Sequence, residues 1–167
     1  IMKTFITLFT LLVISMQSLA IPVKVKFRVI DINRDAIKGA TIRVFDNNKL
    51  IGVKEDAPAK VVWKLESDSY YTIEIALENF VSKRIGIYTN VDDDVEEILD
   101  NRFVFFVELE RKSRYAKYKN SDYVTDFPSA IVELNIREGV FNYNEKYWIS
   151  TRMHYRKLRN SLSNPEF

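Results

Sequence analysis

The sequence predicts a mostly β fold, an antiparallel sandwich ending in a helix, and three features carry that prediction. Short stretches between residues 23 and 88 alternate apolar and polar side chains, the period-two mark of strands dry on one face and wet on the other. Clusters of Asn, Asp, Gly and Pro fall between them at the spacing of hairpin turns. Near the C-terminus the apolar period lengthens to that of a helix.

Taken in order, Val23, Val25, Phe27 and Val29 alternate with Lys24, Lys26 and Arg28, a half-buried strand whose phase shifts at Ile30 and Ile32. Asn33-Arg34-Asp35 supplies turn chemistry, and Ala40, Ile42 and Val44 form the dry face of a second strand. Asp46-Asn47-Asn48 turns the chain into a short third strand over Leu50 to Val53. After Pro58, Val61, Trp63 and Leu65 share one face. Tyr71, Ile73, Ile75 and Leu77 then alternate with Tyr70, Thr72, Glu74 and Ala76, and Glu78-Asn79 leads into Val81 to Tyr88. Residues 89–102 are a polar break. Phe103 to Leu109 is apolar on both faces until Glu108, which predicts an interior strand. A charged, Tyr-rich linker over 110–126 precedes a strand through Val132, Leu134 and Ile136 and a turn at Gly139. A helix starts at Asn144 or Glu145, its stripe formed by Tyr147, Thr151, Tyr155, Leu158 and Leu162. That helix is expected to pack on the sandwich and cover an open edge. The resulting division is 1–20, 21–110 as the sandwich, and 111–167 as linker, strand and helix.

Residues 2–20 have the three-part form of a secretory signal peptide: Lys3, an apolar run from Phe5 to Ile14, and small residues at Ser18 and Ala20. A spanning helix needs roughly 20 apolar residues, so the alternative of a retained anchor is the weaker one, and no membrane span is expected after cleavage. The expected location is the periplasm, the outer cell surface or the medium. Cysteine is absent and no Asn-x-Ser/Thr acceptor occurs, which favours an exported bacterial domain held by its core. An apolar fraction of 47% with 22 aromatics excludes a disordered chain. Residues 21–110 hold 13 basic and 17 acidic side chains, a net of −4, while residues 111–167 hold 11 and 6, a net of +5. This polarity suits pairing within the chain or at the envelope surface, and nucleic acid is not an expected partner.

The run Val-Lys-Val-Lys-Phe-Arg-Val-Ile-Asp at 23–31, Ile37-Lys38-Gly39-Ala40-Thr41-Ile42-Arg43-Val44, the tyrosine strand 70–77 and Asn79-Phe80-Val81-Ser82-Lys83-Arg84-Ile85 together resemble the carboxypeptidase-regulatory-like, transthyretin-like β-sandwich family. The likeness is to exported proteins of the Bacteroidota type. Asp126-Phe127-Pro128-Ser129-Ala130-Ile131 and Phe141-Asn142-Tyr143-Asn144-x-x-Tyr147 resemble a tail found in such proteins, so the likeness runs over about 22–148. It implies an Ig-like, Greek-key sandwich acting as an accessory module, with no catalytic residues to carry over. Related adhesin domains carry an internal Lys–Asn bond beside an acid, for which Lys24, Lys26 and Glu74 are the conceivable members.

The side chains point the same way. His154, the sole histidine, lies between Arg152 and Arg156 with no orienting carboxylate near it in sequence, which suits a solvated helix position better than a catalytic base. One His and no Cys make a poor zinc set. The run Asp92-Asp93-Asp94 with Glu96, Glu97 and Asp100 offers oxygen ligands for calcium but lacks the spacing of an EF-hand, so a solvated loop is the better reading. A carboxylate pair for glycoside hydrolysis is not excluded by spacing, but most acids fall on solvent faces or loops. No catalytic residue, metal or cofactor is therefore assigned. Tyr70, Tyr115, Tyr118 and Tyr123 are the candidate partner-binding surface, since exposed Tyr beside Lys or Arg suits protein or glycan contact. The competing reading packs the linker tyrosines over the sandwich edge. The expected function is a non-catalytic envelope module binding an envelope or cell-surface protein, with a carbohydrate-binding module as the alternative.

Overall fold

The computed structural model describes residues 22–90, 104–114, 128–135 and 140–163. The export segment 2–20, the acidic run Asp92–Asp94, and Tyr115, Tyr118 and Tyr123 lie outside the described residues. In chain order the elements are β1 (Val23–Ile30), β2 (Ala40–Asp46), β3 (Lys49–Ala57), β4 (Lys60–Leu65), β5 (Tyr70–Ala76), β6 (Lys83–Tyr88), β7 (Val104–Glu108), a 3-10 turn at Lys112–Arg114, β8 (Ala130–Asn135), β9 (Val140–Tyr143) and α1 (Glu145–Ser163). The fold is mostly β. Its strands form a three-stranded sheet, β4-β1-β7, and a six-stranded sheet, β3-β2-β5-β6-β8-β9.

The alternating strands bury the faces their sequences select. Val23, Val25, Phe27 and Val29 of β1 are buried, as are Ile42 and Val44 of β2 and Tyr71, Ile73 and Ile75 of β5. They meet between the sheets with Phe105, Val107, Leu109, Val132 and Phe141 in one core. The turns also follow their residues. Asn47 and Asn48 take φ of 43° and 71°, the left-handed pair of a tight hairpin. The Asp31 carboxylate accepts from the Asn33 and Asp35 amides, both at 2.8 Å, closing the first loop around Arg34. At the end of β6 the buried Thr89 hydroxyl reaches the Glu66 and Ser69 carbonyls at 2.9 and 3.0 Å and accepts from the Ser69 amide at 3.1 Å. It fastens the β4–β5 loop to the sheet.

The expected all-antiparallel arrangement is corrected in two places: β7 runs parallel to β1, and β8 runs parallel to β6. Parallel neighbours require long crossovers, and alternation within one strand carries no information about its partner's direction. A second correction concerns β7, which is an edge strand rather than an interior one. Phe106 points outward and is 57% exposed. β3 is also longer than Leu50 to Val53 and lies at a sheet edge. β9 was not expected. It adds to β8 and buries Phe141, and β8 in turn adds to β6, so strands from beyond residue 110 complete the sheet built by residues 40–88. Among the described residues, no helix is long and apolar enough to cross a membrane.

Candidate functional site

β8 and β9 extend the six-stranded sheet past β6, while the three-stranded sheet stops at β7. The end of β7 is fastened above the start of β6. The Val81 amide donates to the Glu110 carbonyl at 2.8 Å, the Lys112 amide donates to Asn79 at 2.9 Å, and the Arg111 guanidinium lies 5.3 Å from the centre of the Phe80 ring. The step between the layers leaves a groove of about 600 Å³, walled by Phe106 and Glu108 of β7, Ile85 of β6, Tyr143 of β9, and Glu145 and Trp148 of α1.

Backbone parity explains one wall. The Leu109 amide donates to Ile30 of β1 at 2.9 Å, so alternate residues of β7, Phe106 among them, turn their amides away from β1. The Phe106 amide donates instead to the Tyr143 hydroxyl. Burial pushes the Tyr143 pKa up, and that hydrogen bond only partly offsets it, so the phenol stays protonated across the physiological range. Tyr143 thus bridges the two sheets across the groove.

The helix wall is set by Asn144. Its side-chain oxygen accepts from the Tyr147 amide at 2.8 Å as an N-cap, and its side-chain nitrogen donates to Glu133 of β8 at 2.7 Å. The Tyr147 hydroxyl donates to the Pro128 carbonyl at 2.6 Å. Trp148 remains exposed, with the Arg152 guanidinium 5.1 Å from its ring centre. Tyr147 and Thr151 of the expected stripe are partly buried, and the side chains of Tyr155, Leu158 and Leu162 lie outside the description. The groove's charge is acidic. Lys83 pairs with Glu110 at 3.3 Å, whereas Glu108 and Glu145 have no ion-pair partner among the described residues.

A second surface is the outer face of the larger sheet. Tyr70, the one candidate site residue within the described residues, is half-buried there. Its ring lies 4.6 Å from that of Tyr88, tilted by 47°. Both flank Gly86, where a Cβ would stand 2.6 Å from the Tyr70 hydroxyl oxygen, so only glycine leaves room for the ring. Burial raises the Tyr70 pKa. Beside the pair, Glu74 accepts from Arg43 and Arg84, each at 2.9 Å.

Burial alone would raise the Glu74 pKa, but the hydrogen bonds and charges of Arg84 and Arg43 outweigh it and hold the carboxyl below its usual range. A folded-state pKa below the unfolded one gives stability that is complete above the unfolded value and is lost as pH falls through the folded one. The melting-temperature gap between the wild type and Glu74→Gln should therefore be widest near neutrality and shrink as pH falls below the ordinary glutamate pKa of about 4.3. Thermal unfolding followed by circular dichroism across that range checks it. A gap independent of pH would show that the carboxylate charge contributes nothing.

The side chains conceivable for an internal Lys–Asn bond, Lys24, Lys26 and Glu74, are not brought together. Lys24 and Lys26 lie on β1, in the three-stranded sheet, and Glu74 lies on the outer face of the other sheet, across the core. His154 is exposed on α1. Among the described residues no group of three or more His, Cys, Asp or Glu is placed to hold a metal ion. Sequence reasoning missed Phe106, Tyr143, Trp148 and Tyr88 as members of the two surfaces. The available signal was Phe106 itself, a second phenylalanine in a strand whose inward face is already filled by Phe105 and Val107. Compared with protein-family models and with curated proteins, the chain matches none.

Proposed function

We propose that this chain is a non-catalytic exported envelope module, a transthyretin-like Greek-key sandwich, that binds another protein through the groove beside β7. The observation that carries the reading is the composition of that groove: exposed Phe106, Tyr143 and Trp148 beside the carboxylates of Glu108 and Glu145, which have no ion-pair partner among the described residues. Aromatic side chains are the usual anchors of protein interfaces, because they bury much area at little entropic expense. The carboxylates select a partner segment that carries Lys or Arg among apolar side chains. The signal-like residues 2–20 support an envelope or cell-surface location for that partner.

The alternative, a carbohydrate-binding module, draws on the Tyr70–Tyr88 pair with Glu74 and Arg84 beside it. The two readings use different faces, so one experiment separates them. The purified protein is used to capture partners from envelope extract and, in parallel, is applied to a glycan array. Trp148→Ala or Phe106→Ala should weaken a captured protein by at least about tenfold, as truncated interface anchors do, and should weaken it further as salt rises. Tyr88→Ala should leave capture unchanged. Glycan binding abolished by Tyr88→Ala, with no protein captured, would establish the alternative instead.

A further inference from the structure

We infer that the outer face of the three-stranded sheet docks on an anionic lipid surface, a role separate from that of the groove. The outward positions of β4 are Lys60, Val62 and Lys64, and those of β1 are Lys24, Lys26 and Arg28. On β7 they are Val104, Phe106 and Glu108. Five of these nine side chains are cations, and the one acid, Glu108, stands at the far end of β7.

The register sets cation against cation. Arg28 stands directly opposite Lys60, and Lys24 opposite Lys64. The Val29 amide donates to the Ala59 carbonyl at 2.8 Å, which makes Val29 and Ala59 a hydrogen-bonded pair. Arg28 and Lys60, one step along, are therefore a non-hydrogen-bonded pair, and Lys24 and Lys64 share their parity. Side chains come closest at such positions, and like charges placed there repel. Arg28, Lys60 and Lys64 have no ion-pair partner among the described residues. A face that only covers the core gains nothing from this arrangement, since opposite charges would be as well solvated and would attract. Conflict between neighbours of this kind is expected where a site serves a function. An anionic surface laid on the face relieves it.

The kind of anion follows from the apolar side chains standing among the cations. Val62 is 46% exposed beside Lys26, and Phe106 is 57% exposed beside Arg28. A soluble polyanion offers these two side chains nothing to enter. A bilayer interface takes apolar groups at headgroup depth while lipid phosphates meet the surrounding Lys and Arg. The signal-like residues 2–20 agree with work at an envelope membrane.

Co-sedimentation tests this, with vesicles of phosphatidylglycerol and phosphatidylcholine in equal parts against phosphatidylcholine alone. The protein should bind the anionic vesicles at least about tenfold more tightly, and the preference should shrink as salt rises. Phe106 also lines the groove, so it is left intact. Lys60→Glu should weaken the binding by about tenfold or more, since each basic side chain near an anionic surface contributes about fivefold and here one is reversed. The same change gives Arg28 an opposite charge, so the melting temperature should rise by about 1–3 °C. A misfolded variant would lose both, so the opposed signs separate lost docking from lost folding. Trp148→Ala, on the groove, should leave vesicle binding unchanged. No binding, or equal binding to neutral vesicles, would overturn the inference, as would binding indifferent to Lys60→Glu. A lowered melting temperature in Lys60→Glu would remove the repulsion on which it rests. Dextran sulfate bound as tightly as the vesicles, with vesicle binding unmoved by Val62→Ser, would make a soluble polyanion the partner and overturn it too.

Discussion

Phe27→Ala should lower the free energy of unfolding by about 3–5 kcal/mol, the range found when a buried phenylalanine is truncated. Phe27 is fully buried in the middle of β1, the central strand of the three-stranded sheet, so its removal opens a cavity with walls from both layers. Its ring stacks on Phe105 at 5.3 Å with 19° between planes, because the parallel register of β1 and β7 sets the two residues side by side. A domain of this size has roughly 5–15 kcal/mol of stability in all, so the loss takes a large share of it. Urea unfolding monitored by tryptophan fluorescence gives the difference directly. Phe105→Ala should cost a similar amount. The double variant should fall short of the sum by about 0.5–1.5 kcal/mol, since the first truncation already removes the ring contact. A loss below about 1 kcal/mol for Phe27→Ala would mean that this position is not part of the core.

Those two phenylalanines also mark how far the sequence is legible. Phe27 sits in an unbroken alternation with Val23, Val25 and Val29, so its burial follows from period alone. The same holds for β2 and β5, and the turns at Asn47-Asn48 and Glu78-Asn79 follow from residues that tolerate positive φ. Phe105 is different. Val104 to Val107 is apolar throughout, so periodicity cannot say which side chains point inward, and a strand apolar on both faces reads as interior. Its place at an edge is set by tertiary pairing with β1, nearly eighty residues earlier in the chain. The groove inherits this difficulty, because it exists only where β7 stops and β8 continues. Tyr70 was legible as a surface tyrosine, but its neighbour Tyr88 was not. The pair forms because antiparallel register sets the two residues opposite each other on β5 and β6. β3 reads as shorter than it is for the opposite reason: it buries little of either face, so burial imposes no period on its residues.

Phe141→Ala is the sharpest test of how the chain beyond residue 110 relates to the rest. Read from sequence, that stretch is a linker, one strand and a helix laid on a finished sandwich. In the structure β8 pairs with β6 over Ile85 to Tyr88, β9 pairs with β8, and Phe141 is buried with Leu134 directly opposite it. Phe141 belongs to the same buried cluster as Phe27, Ile73 and Ile87. A side chain on an appended tail would, when truncated, loosen only the tail and leave the main transition in place. A side chain in the shared core should instead lower the stability of the whole domain, by about 3–5 kcal/mol, in a single cooperative transition. Trp63 on β4 and Trp148 on α1 report from opposite sides of that boundary. Their fluorescence, read separately in Trp63→Phe and Trp148→Phe backgrounds, should move together in denaturant, with both midpoints lowered equally by Phe141→Ala. If the Trp148 signal were lost first while the Trp63 signal kept its wild-type midpoint, β8, β9 and α1 would form a separate unit. The groove would then lie on a seam that opens before the sandwich does.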